Sequence, residues 1–152
     1  MLMSIPLKIT ENGGVPAEES RRRQRRSVAG LKVLLAEDAE MVRDLITVVL
    51  SRELIEVTAV KDGAAAVEAA LSQPFDIILL DIQMPVMGGL EATKRIRDSG
   101  GPGATVPILA LTANVMRRDV ARCQAAGMDG HVAKPFSPEN LVNAIKAAIF
   151  DA

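Results

Sequence analysis

Asp76-Ile-Ile-Leu-Leu-Asp-Ile-Gln-Met-Pro-Val-Met-Gly-Gly89 is the stretch on which the fold turns. Its opening, Asp76–Leu80, is a short run dominated by Ile and Leu with no polar alternation, the pattern of a strand buried on both faces. Asp81 follows it, and the Pro and paired Gly beyond signal a turn rather than more strand. Similar runs, rich in Val, Ile or Leu, lie at Lys32–Ala36, Glu56–Val60, Val106–Leu111 and His131–Ala133, the last being the weakest. Helical spacing fills the intervals. Met41, Val42, Leu45, Ile46, Val48 and Val49 recur at close to 3.6 residues, as do Leu141, Val142, Ile145, Ala148 and Ile149. Ala64–Leu71, Leu90–Arg97 and Asn114–Ala126 supply three further helices. Ser137-Pro138 offers a hydroxyl cap followed by a residue that needs no N–H donor, and Asp62-Gly63 and Ala126-Gly127 fit a helix start and a helix stop.

Strict alternation of strand and helix implies an α/β fold with a parallel sheet and right-handed crossovers. Ligands of such sheets bind beyond the carboxyl ends of the strands, near the point where strand order reverses. Glu37 and Asp38 follow the first run, Asp81 the third, Thr112 the fourth and Lys134 the fifth. Singly, each has a plain structural explanation: a helix cap, a strand end, a β-branched strand residue, a solvated charge. Gathered at one sheet edge, three acids, a hydroxyl and an amine demand another one. Two carboxylates about 4 Å apart repel by roughly 4 kcal/mol at an effective dielectric near 20. A hard divalent cation removes that conflict, and an oxygen-only ligand set favours Mg²⁺ over zinc. A carboxylate nucleophile beside Mg²⁺ and an ammonium group is equipped to receive a phosphoryl group, with Thr112 placed to hydrogen-bond it.

The string from Asp81 to Gly89 resembles the phosphoacceptor loop of the response regulator receiver domains of two-component systems. Glu37-Asp38, Leu111-Thr112-Ala113 and Lys134-Pro135 resemble that family's other signatures, in order, over roughly residues 31–150. The resemblance implies a flavodoxin-like (βα)5 domain, doubly wound, with a five-stranded sheet in the order 2-1-3-4-5. It implies that Asp81 becomes an aspartyl phosphate, by transfer from a phosphohistidine. Asp38, Asp81 and the Gln83 backbone carbonyl would ligate Mg²⁺, with Glu37 acting through a metal-bound water. Thr112, the Ala113 amide and Lys134 would hold the phosphate, and the bond to Pro135 would be cis. The family usually carries Tyr or Phe three residues before the lysine; His131 stands there, either as an exposed strand residue or as the switch ring in an unusual, titratable form. Gln83 and Asn114, each two positions beyond Asp81 and Thr112, either overhang the phosphate and set how readily water reaches it or are plain surface residues. The fourth helix, fifth strand and fifth helix would carry the output, through a face including Arg117, Arg118 and Arg122. The expected partner is a histidine kinase or histidine phosphotransfer protein.

Composition narrows the alternatives. At 152 residues, one domain accounts for the length, with residues 31–152 as the receiver and 1–30 as a flexible tail. The tail carries Lys8 and five Arg between Arg21 and Arg26 against three Glu, so it is basic while the remainder is mildly acidic. That balance makes nucleic acid an unlikely partner for the domain itself. Met3–Ile9 resembles the closing strand of a histidine-kinase ATP-binding domain, which would put a kinase domain in the same polypeptide. Three Phe with no Tyr or Trp leave nothing to sandwich a flavin or stack on bases. The single cysteine, Cys123, is expected as a small buried apolar residue and points to a reducing, cytoplasmic setting. No apolar run reaches the length of a membrane span. The remaining rival is an interaction module on the same fold that works without phosphorylation. A phosphohydrolase is disfavoured, because no second acid or base is positioned for turnover; slow self-dephosphorylation is what such a site allows.

Overall fold

Strand β1 (Lys32–Ala36) leads into helix α1 (Glu40–Arg52), and the alternation continues through β2 (Glu56–Val60), α2 (Gly63–Ser72), β3 (Ile77–Asp81) and α3 (Gly89–Asp98). It closes with β4 (Ile108–Thr112), α4 (Arg117–Ala126), β5 (Gly130–Ala133) and α5 (Pro138–Phe150). The computed structural model describes residues 27–113 and 117–150. The N-terminal segment 1–26, Asn114, and the side chains of Arg117 and Arg118 lie outside the described residues.

All five strands pair in parallel, in the order β2-β1-β3-β4-β5. Period-two alternation along fully buried strands divides the core in two. Val33, Leu35, Ile77, Leu79, Leu109 and Leu111 face Ile46, Val49 and Leu50 of α1 and Leu141, Val142 and Ile145 of α5. Leu34, Ala36, Ile78, Leu80, Ile108 and Ala110 face Ala66 and Ala70 of α2, Ala92 and Ile96 of α3, and Cys123 of α4. The alanines let α2 and α3 lie close to the sheet, while full burial of each Leu or Ile contributes about 1.5–3 kcal/mol. Cys123 is buried, as its apolar setting required. Packing reaches back before the first strand: Val28 joins the core, and the Gly30 N–H donates to the Leu54 carbonyl.

Caps set several boundaries. The Ala65 N–H donates to Asp62 Oδ1 at 2.8 Å, and the Asn140 N–H donates to Ser137 Oγ at 3.0 Å, fixing the starts of α2 and α5. Two strands start later than their apolar runs. Asp76 precedes β3, where its carboxylate accepts from the Lys32 N–H, and Pro107, lacking an N–H, precedes β4. The shift makes Asp81 and Thr112 the final residues of their strands, where the sheet itself aims their side chains.

Candidate functional site

Strand order reverses between β1 and β3, so the chain leaves their neighbouring carboxyl ends in opposite directions and opens a crevice there. Glu37 stands at the end of β1, its N–H donating to the Val60 carbonyl of β2. Its side chain is only 1% exposed, yet it carries an acid into the interior. Asp81, at the end of β3, is 7% exposed. Asp38, next to Glu37, is exposed. It does not cap α1; the N-cap is Ala39, which lacks a capping side chain. Oxygens of Glu37, Asp38 and Asp81 come within 4.8 Å of one another, the one group of three possible metal-ligating side chains among the described residues.

Lys134 reaches the cluster from the loop after β5. Its Nζ lies 2.8 Å from Glu37 Oε1 and 3.3 Å from Asp81 Oδ2. The backbone also secures this loop: the Lys134 N–H donates to the Thr112 carbonyl at 2.7 Å, and the Lys134–Pro135 peptide bond is cis. Burial lowers the lysine's proton affinity, but the hydrogen bond to Glu37 and the charges of Asp81 and Glu37 outweigh it, so its pKa is raised. Asp81 moves up as well, from 3.8 to about 6. Desolvation is the largest cause, followed by the hydrogen bond and charge of Glu37; Lys134 and the Gln83 N–H, which donates to Asp81 Oδ1, pull the other way without prevailing. One ammonium therefore does not neutralise the cluster. The excess negative charge and the all-oxygen donor set together fit a hard divalent cation.

On the other side of Asp81, toward β4, a cleft of about 420 Å³ opens between α3 and α4. Asp81, Gln83, Thr112, Ala113 and Lys134 line it from the strand ends, and Glu91, Asp119 and Arg122 from the two helices. Asp81 thus has the acid pair on one flank and room for a tetrahedral group on the other. Thr112 is buried and Gln83 exposed. His131 is exposed on β5, in register with Ala110, and is not among the cleft-lining residues.

The loop between Asp81 and α3 is shaped by close backbone approach. The Gly63 N–H at the start of α2 donates to the Met87 carbonyl, and a Cβ at Gly63 would fall 2.2 Å from that oxygen. A Cβ at Gly89 would fall 2.4 Å from the Asp81 carbonyl. Neither position accepts a side chain without moving the loop that carries Asp81 and Gln83. Gly89 was within the motif read from sequence; the constraint at Gly63 was not legible, because its partner is 24 residues away. Two arginines also escaped notice. Arg43 of α1 donates from Nη1 to the Glu37 carbonyl at 2.9 Å and the Asp38 carbonyl at 3.4 Å. Arg97 of α3 reaches the carbonyls of Gly103, Ala104, Val106 and Gly127 and the carboxylate of Asp129.

Comparison with known proteins agrees with this geometry. Residues 33–146 match the model of the response regulator receiver domain family. Hybrid signal transduction histidine kinase I of Dictyostelium discoideum is 36% identical over 146 residues, covering 92% of this chain but 8% of that protein. The CAI-1 autoinducer sensor kinase/phosphatase CqsS of Vibrio cholerae is 31% identical over 133 residues, covering 88% of this chain and 18% of its own length. The chain thus spans less than a fifth of these two curated relatives. Among solved structures, chemotaxis protein CheY4 of Vibrio cholerae superposes with a TM-score of 0.75 at 32% identity, over 79% of this chain and 99% of that one. The receiver domain of a Pseudomonas aeruginosa sensor histidine kinase, with magnesium coordinated in its active-site cleft, gives 0.74 at 39% identity, over 80% and 99%. With its sheet order, its acid cluster and the family match over three quarters of its length all in agreement, the chain belongs to the response regulator receiver domains of two-component signal transduction.

Proposed function

We propose that Asp81 is the phosphoacceptor and that Glu37, Asp38, Asp81 and the Gln83 carbonyl hold Mg²⁺. The observation that carries this reading is the Lys134 ammonium bridging Glu37 and Asp81 while Asp81 still retains a raised pKa. In the transfer, an Asp81 carboxylate oxygen attacks the phosphorus of a phosphohistidine. The phosphorus–nitrogen bond breaks, its electron pair stays on the ring nitrogen, and a neutral imidazole departs if the other ring nitrogen keeps its proton. Mg²⁺, when bound, supplies charge neutralisation for the phosphoryl oxygens. Lys134 exchanges an Asp81 oxygen for a phosphoryl oxygen, and the Thr112 hydroxyl and Ala113 N–H donate to the others in the cleft. Slow hydrolysis of the acyl phosphate returns the site to its starting state, with Gln83 and Asn114 governing the approach of water. His131, on the Ala110 face of β5, serves as the ring that responds when Thr112 engages the phosphate, and the surface of α4, β5 and α5, with Arg117, Arg118 and Arg122, carries the output.

The donor is a phosphohistidine on a histidine kinase or phosphotransfer protein, in another polypeptide or in a kinase domain of the same one. Its landing place is suggested by α1, where Met41, Leu45 and Val48 are 85%, 57% and 49% exposed at helical spacing. This apolar stripe begins three residues after Asp38, so a partner covering it would bring its histidine to the mouth of the crevice. The test is intact mass after incubation with acetyl phosphate, with and without Mg²⁺, beside Asp81→Asn. A Mg²⁺-dependent gain of one phosphoryl group (about 80 Da) that the variant loses is the expected result. A persistent gain in the variant would move the nucleophile elsewhere, and a lack of labelling together with a lack of response to beryllofluoride would favour the phosphorylation-independent module.

A further inference from the structure

Helix α1 starts without a capping side chain, because Ala39 occupies the N-cap. The loop before it, Glu37–Ala39, nevertheless has to hold two acids in fixed positions, one buried and one exposed, at the crevice. Arg43 does the fastening from one turn into the helix. Its Nη1 donates to the carbonyls of both acid-bearing residues, at 2.9 Å for Glu37 and 3.4 Å for Asp38, and its side chain is half-buried. The helix anchors it in turn: the Arg43 N–H donates to the Ala39 carbonyl and its own carbonyl accepts from Thr47 Oγ1. Within the loop, the Ala39 N–H donates to Glu37 Oε2. The backbone of the two acids is thus gripped from behind, leaving their carboxylates to meet Asp81 in front.

We infer that Arg43 is a positioning residue for the divalent-cation site, acting on Glu37 and Asp38 through their main-chain carbonyls; this rests on the Mg²⁺ reading above. A guanidinium near a cation site has two opposed effects. Orienting the ligands strengthens binding, whereas its positive charge weakens it. Hydrogen bonds aimed at carbonyls rather than at the carboxylates keep the guanidinium off the ligand oxygens, so orientation prevails.

The experiment titrates Mg²⁺ into the full chain and into Arg43→Ala, Arg43→Gln and Arg43→Lys by calorimetry, and measures urea denaturation of each without metal. Removing the guanidinium should raise the Mg²⁺ Kd by about tenfold, the scale of other residues that orient metal ligands. Lysine, which can still donate to one carbonyl, should recover part of the loss. Half-saturating Mg²⁺ for labelling by acetyl phosphate should rise by the same factor as the Kd. If the alanine variant does not fold, the glutamine and lysine variants carry the same comparison. A Kd that is unmoved or tighter in the glutamine variant overturns the inference, including where stability falls, since that is the signature of a helix-to-loop tie alone. A parent protein that takes up no Mg²⁺ overturns the metal reading beneath it, a separately visible result.

Discussion

Replacing Asp81 by Asn should stabilise the metal-free protein, and only above about pH 4. The carboxyl keeps its proton until about pH 6 in the folded chain, against 3.8 as the ordinary value. Keeping it ionised at neutral pH therefore costs on the order of 3 kcal/mol of folding free energy. The sign follows from proton counting. Between pH 4 and 6 the native state binds more protons at Asp81 than the unfolded chain does, so stability falls as pH rises through that window and levels off above it. Asn mimics the neutral acid and removes the slope. The stability gap between Asp81→Asn and the parent should be near zero at pH 4, open through pH 5–6, and reach about 2–3 kcal/mol at pH 8, or about 5–10 °C in Tm for a domain of this size. Urea denaturation in EDTA across pH 4–8 measures it, and taking the difference between the two proteins cancels groups they share. Saturating Mg²⁺ should close the gap by stabilising the parent alone. An Asn variant no more stable than the parent at pH 8, or a gap of equal size at pH 4 and pH 8, would refute the claim that burial and Glu37 load Asp81 with unrelieved charge.

Two further outcomes follow from contacts away from Asp81. Arg97→Met should cost about 1–3 kcal/mol in urea denaturation, because it strands the part-buried Val106 and Gly127 carbonyls that the guanidinium now satisfies, while the half-exposed Asp129 carboxylate keeps the Ile108 N–H and water; a loss under about 0.5 kcal/mol would mean that water replaces the guanidinium. Leu45→Asp should slow phosphoryl transfer from a phosphorylated histidine phosphotransfer protein by about tenfold while leaving labelling by acetyl phosphate alone; equal slowing with both donors would show that α1 is not the docking face.

Strand ends carried most of the legible information. A parallel strand buried on both faces must be nearly continuous in Ile, Leu and Val, so the first polar residue at its end marks both the edge of the sheet and the level of the site. That is why Asp81 and Thr112 could be located before their strands were exactly bounded. The order β2-β1-β3-β4-β5 came from the resemblance alone, since hydrophobic period says which segments are strands but not which are neighbours. What stayed hidden has one physical character: backbone oxygens as partners. Gly63 is constrained by a carbonyl, Arg43 grips two, and Arg97 collects four. Every residue has a carbonyl, so no residue type advertises the contact, and an arginine that serves the main chain looks in sequence like any solvated charge. Asp62, Ser137 and Asp81 were readable for the converse reason: each uses a side chain whose chemistry is particular to its position.

The same distinction bears on how this site is kept ready. Its clustered acids repel one another, and Asp81 shows the cost in its raised pKa, which burial and Glu37 both push up. Side-chain attraction cannot assemble such a cluster, because the Lys134 ammonium that reaches it is already shared between Glu37 and Asp81. The acids are held instead by what lies behind them: parallel ladders that end at Ala36 and Asp81, the Gly63 contact under the loop after β3, and Arg43 under the loop after β1. A site preorganised against its own electrostatics needs little rearrangement to accept a cation, whose positive charge would relieve the conflict the fold maintains.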